Sequence, residues 1–140
     1  MLTKAKELLK DNVTRLVIID NQNTITRTER GVKAILDILE SNAITKGAFV
    51  ADKVVGKAAA MIYILLGIKV LYASVISEGA KAIIEANGIA LECDTVVPYI
   101  VNRTGDGMCP MEQAVGDESD PILAVEKVKK KLAVLNQISK

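Results

Sequence analysis

The chain has 140 residues, half of them apolar, and 18 basic side chains stand against 17 acidic ones for a net charge of +1. That length fits one domain spanning residues 1–140, and the interspersed charges show no basic stripe for nucleic acid. With no histidine and only two cysteines, the chain lacks the commonest general base, every Cys-His or Ser-His dyad and the ligands of a Cys-based zinc site.

Lys4 to Lys10 places Ala5, Leu8 and Leu9 on one face, which predicts an amphipathic helix ending near Asn12. Leu16 to Ile19 is an apolar run of strand type, and Asn21-Gln22-Asn23 turns it back into the alternating Thr24 to Thr28, a hairpin. Val32 to Glu40 predicts a second helix with Val32, Ile35, Leu36 and Leu39 buried. Ala48-Phe49-Val50 reads as a short extended lead-in. Asp52 then reads as the N-cap of a helix from Lys53 to Leu66, which Gly67 closes. That helix is apolar nearly all round, so it belongs at the centre of the fold.

Val70 to Ile76 predicts a strand, Ser77 caps a helix from Glu78 to about Ala86, and Ile89 to Glu92 with Val96 to Val101 supplies one or two more strands. A short helix starts at Pro110, an acidic loop runs from Gly116 to Asp120, and Pro121 opens a terminal amphipathic helix reaching about Asn136. Its Lys127 to Lys131 cluster reads as solvated surface. Alternating helices and strands after an initial hairpin predict a three-layer α/β/α sandwich with a mixed sheet. The apolar stretch from Val54 to Ile76 is broken by Lys57, Gly67 and Lys69, so it reads as buried helix and strand and not as a membrane span. Met1-Leu2-Thr3-Lys4 runs straight into a polar amphipathic segment without a signal peptide, and a cytoplasmic, reduced protein is expected.

The richest chemistry lies in Asn102-Arg103-Thr104-Gly105-Asp106-Gly107-Met108-Cys109-Pro110-Met111-Glu112. Gly-Asp-Gly is a turn, Pro suits the first helical position, and Glu112 can reach back to cap its own helix. Cys109 at that helix start is the candidate nucleophile, weighed against an inert buried thiol. Arg103 adds positive charge, or pairs with Asp106 to hold the turn that Asn102 caps. Lys53 and Lys57, one helical turn apart, form either an anion site or a snorkelling pair at the rim. Asp52 is a candidate proton carrier or a plain cap. Asp52, Lys53, Lys57, Arg103, Asp106 and Cys109 are expected to share one pocket, and Asn102 is a further candidate for ligand binding.

The element order resembles the cytidine-deaminase-like fold. In its zinc enzymes H-x-E opens the buried helix and P-C-x-x-C the next. The matching segments here read as Val50-Ala51-Asp52 and Glu78-Gly79-Ala80-Lys81-Ala82, so the resemblance implies a fold without the zinc centre. The chain as a whole resembles a small uncharacterised family of that fold, in which a Val-Ala-Asp-Lys segment and the Asn102–Glu112 segment occur together. That resemblance implies no assigned activity, no metal and no cofactor. The expected partner is a small anionic or nucleotide-like molecule, with turnover, ligand sensing and an oligomeric scaffold as rival roles. The apolar content favours a homo-oligomer.

Overall fold

The computed structural model describes residues 2–11, 13–21, 23–29, 32–41, 46–101, 105 and 107–138, with side chains described as far as residue 134. Among these residues lie the helices α1 (Leu2–Leu8), α2 (Lys33–Ser41), α3 (Lys57–Leu66), α4 (Glu78–Ala86), α5 (Pro110–Val115) and α6 (Pro121–Ile138). The strands are β1 (Leu16–Ile19), β2 (Thr24–Arg27), β3 (Phe49–Val55), β4 (Val70–Ser77) and β5 (Ala90–Val97).

The strands form one mixed sheet in the order β2-β1-β3-β4-β5. β1 runs antiparallel to both β2 and β3, whereas β3, β4 and β5 are parallel. All four side chains of β1 are buried, as expected of a short apolar strand covered on both faces. Asp11 turns the chain into it by accepting from the backbone N–H groups of Val13 and Thr14, and Asp20 closes the following hairpin by accepting from the Asn23 N–H at 2.6 Å.

The three layers are unequal. On one face α1 packs, its Ala5 together with Leu9 covering Val17, Ile19, Ala51 and Tyr72. The opposite face carries the main core, where Ile35, Leu36 and Ile38 of α2 and Ile84 of α4 flank α3 over Val50, Leu71 and Ala73. Helix α3 is the centre of that layer: Ala58, Ala59 and Ala60 let its first turn lie close against its neighbours, while Met61, Ile62, Tyr63 and Leu66 fill the space beyond. Gly67, in the left-handed region at φ 69°, ends it by donating to the Tyr63 and Ile64 carbonyls. α5 and α6 cover the outer side of α3 through Met111, Val115, Ala124 and Val128. Among the described residues no helix is long and apolar enough to cross a membrane.

One element differs from the sequence expectation. The helix expected over Lys53–Leu66 begins only at Lys57, and Phe49–Val55 is the central strand β3. Asp52 is therefore not a helix cap; Gly56 holds the N-cap position of α3 and makes no side-chain cap bond. The β-branched residues Val50, Val54 and Val55 suit a strand; β1 and β4 pair Val50 on both sides, and β4 pairs Val54 and Val55. β5 is a single strand, with Cys93 packed against the main core.

Candidate functional site

Strands β3 and β4 each end by turning directly into a helix. Val55 is followed by Gly56 and the first turn of α3, and Ser77 is both the last residue of β4 and the N-cap of α4, its Oγ accepting from the Ala80 N–H at 3.2 Å. Two helix N-termini thus lie side by side at the carboxyl edge of the parallel strands, an edge where open α/β sheets commonly take ligands. The chain beyond β5 and α5 closes the third side. The partly open cavity measures about 180 Å³, and its lining includes Lys57, Ser77, Gly79, Tyr99, Glu112 and Asp117.

Glu112 organises the site. Pro110 starts α5 at its first position, and two residues on Glu112 points inward, 6 % exposed. Its carboxylate accepts from the Lys57 backbone N–H at 2.8 Å, supplying the cap that Gly56 cannot. Gly56 is needed for this approach, since a methyl group there would overlap the carboxylate. Burial pushes the Glu112 carboxyl above its usual range, against the downward pull of the α3 backbone N–H groups and the Lys57 charge.

The Lys57 stem crosses Gly79, where any side chain would collide with it, and its Nζ donates to the Gly116 carbonyl at 3.0 Å. An ammonium has three N–H donors, and this bond uses one. Lys57, Gly79, Gly116 and Glu112 therefore form a closed arrangement that ties α3, α4 and α5 together around the cavity.

The sequence-derived candidates are dispersed. Lys57 lines the cavity. Lys53 faces the α1 side of the sheet, where its Nζ donates to the Asp11 carbonyl at 3.3 Å; it pairs with Lys57 only if both stand on one helix, and β3 removes that condition. Asp52 lies beneath the site in the core, accepts from the Tyr63 hydroxyl at 2.5 Å, and is pushed up to about 6 by burial. Cys109 holds the N-cap position of α5 without a side-chain cap bond, packs beside the cluster of Met111 and Val115, and is not among the residues that line the cavity. Asn102, Arg103 and Asp106 lie outside the described residues. Among the described residues the expected single pocket does not form.

Glu112 was expected to cap its own helix and instead caps α3. Ser77 carried only a capping expectation, and Gly79 was noted only for lacking a metal-binding side chain. The readable signal was Gly56: a glycine between two valines and an alanine-rich helix marks a strand-to-helix junction with room for another group. Among the described residues no three His, Cys, Asp or Glu side chains cluster closely enough to hold a metal ion.

Sheet and crossover helices define an α/β domain with a mixed five-stranded sheet. The chain belongs to the DUF1893 family, a domain of unknown function whose profile matches residues 4–132. It is similar to a DUF1893 family protein of Thermotoga maritima known from a crystal structure, with 26% sequence identity and a TM-score of 0.85 over 93% of this chain and 88% of that one. None of the curated proteins compared with the chain matches it.

Proposed function

We propose that the cavity between α3, α4 and α5 binds a small molecule through an anionic group held by Lys57. The observation that carries this reading is the Lys57 ammonium, fixed over Gly79 by the Gly116 carbonyl on a cavity at the carboxyl ends of the parallel strands. The first turn of α4 adds backbone N–H groups that have no acceptor within their own helix. A space of about 180 Å³ suits a small acid, and a nucleotide-like ligand would leave most of its atoms outside.

In the same reading the domain is cytidine-deaminase-like. The two helix N-termini that hold zinc ligands in the deaminases would correspond to those of α3 and α4, and the space between them is taken by Lys57 and Glu112. The segment opening the buried helix is then Gly56-Lys57-Ala58 rather than Val50-Ala51-Asp52. Cys109 and Asp52 take no chemical step in this account, because neither lines the cavity. Binding without turnover is therefore the function proposed.

The test is an amide chemical-shift titration with propionate. Saturable shifts at Gly79 and Tyr99 that vanish in Lys57→Met support the reading, and an unresponsive wild-type spectrum overturns it.

Self-association is a second reading, favoured by the exposure of Ile122 and Leu123 on α6 at 63% and 52%. Sedimentation at micromolar concentration tests it; a strict monomer would end it.

A further inference from the structure

Two opposite charges line the cavity and do not pair with each other. Lys57 Nζ is drawn to the Gly116 carbonyl, and the Glu112 carboxylate is drawn to the Lys57 backbone N–H. Among the described residues the ion pairs join Lys6 to Glu92, Lys127 to Glu118 and Lys129 to Glu126, with none between Lys57 and Glu112. Backbone bonds thus hold an ammonium and a carboxylate apart within a space of about 180 Å³, so a single small molecule can meet both.

The charges also disfavour a ligand that is only an anion. Lys57 is the one cation among the described lining residues, whereas Glu112 and Asp117 both bring carboxylates. A carboxylate has about four acceptor positions over its two oxygens. The Lys57 N–H takes one of them on Oε2 and the Ala58 N–H a second, which leaves about two. Acceptor capacity therefore remains on a group that burial has already stripped of most of its water. An N–H-bearing cation brought into the cavity would satisfy it with a charge-assisted bond.

We infer that the ligand is bipolar, carrying an ammonium or similar N–H-rich cationic group that Glu112 accepts from, beside the anionic group that Lys57 holds. This rests on the anion-binding reading of the same cavity and narrows its substrate class to small zwitterions, of which amino acids are the simplest. Glu112 is then a contact residue as well as the cap of α3, and Gly56 is the positioning residue that lets it reach the cavity.

Glycine and propionate test this as a pair, because they are nearly isosteric and differ by an ammonium in place of a methyl group. Dissociation constants are read from the Gly79 and Tyr99 amide shifts in the wild-type protein and in Glu112→Gln, whose amide oxygen still accepts from the Lys57 N–H. Glycine is expected to bind about tenfold tighter than propionate to the wild type, a ratio within reach of one charge-assisted hydrogen bond, and the ratio should fall to about one in Glu112→Gln. Equal affinities in the wild type, a measurement that needs no variant, would overturn the inference, as would a preference that survives Glu112→Gln. Propionate binding through Lys57 would still stand in both cases. If neither compound binds, the anion-binding reading fails and takes the inference with it.

Discussion

The Tyr63 hydroxyl donates to the Asp52 carboxylate at 2.5 Å between α3 and β3, and both side chains are buried. The pair joins the central helix to the central strand. Asp52 titrates at about 6 against an ordinary value of 3.8 because burial disfavours its charged form more than Tyr63 and the neighbouring N–H groups favour it. Since the folded value is raised, the Asp52 contribution is fully present below pH ~4 and is lost as the pH rises through 6. The loss amounts to ~3 kcal/mol at 1.36 kcal/mol per pKa unit. Asp52→Asn should remove it. Urea denaturation of wild type and variant at intervals from pH 3.5 to 7 would show the difference in stability changing by that amount. A pH-independent difference would contradict the assignment. Subtracting the two curves also cancels Asp11 and Glu118, which are held below their usual range by hydrogen bonds and slope the other way.

Tyr63→Phe leaves the buried carboxylate without its hydroxyl donor, which costs about 1–3 kcal/mol above pH 6. The midpoint of the pH-dependent loss should move above 6, because removing a hydrogen bond to the ionised form raises the Asp52 pKa further.

Gly56 and Glu112 should be energetically coupled. A methyl group at Gly56 overlaps the Glu112 carboxylate, so Gly56→Ala expels a buried side chain from its bond to Lys57 and should destabilise the fold by about 2 kcal/mol. In a Glu112→Ala background the same methyl meets only the Ile100 side chain, at 3.0 Å, of the atoms that crowd it. The double-mutant cycle should give a coupling of at least ~1 kcal/mol; additive effects would show that Glu112 does not occupy the Gly56 cradle.

Gly79→Ala separates stability from binding. The position lies in the first turn of α4, where Ala is the better helix former by up to ~1 kcal/mol, so the protein should fold. Its methyl group falls on the Lys57 stem and shifts the ammonium away from its place. Propionate affinity should drop about tenfold, or roughly 1.4 kcal/mol, with thermal stability little changed; undiminished affinity would remove Lys57 from the site.

Much of the frame was legible because local chemistry and burial agree. β1 is the apolar run Leu16–Ile19, α4 starts behind the Ser77 cap, and α5 starts at Pro110, all where composition and capping place them. The second half of β3, from Lys53, reads as helix because a strand largely buried on both faces shows no two-residue alternation, and its Asp52-Lys53 step mimics a capped helix start. That single shift moved two of the candidate residues. It put Lys53 beside Lys57 on one helix and made Asp52 the cap of that helix, whereas the strand sends Lys53 to the α1 face and Asp52 into the core. The contribution of Glu112 could not be read from pattern, since its partner is a backbone N–H 55 residues earlier. Backbone donors carry no side-chain signature.

The most direct measurement is a crystal structure of the protein soaked with propionate. The account predicts density for a carboxylate within hydrogen-bond distance of Lys57 Nζ, beside the first turn of α4, with Gly79 in contact with the ligand. Propionate bound at another place, such as beside Cys109 or along α6, with the Lys57 cavity empty would contradict it.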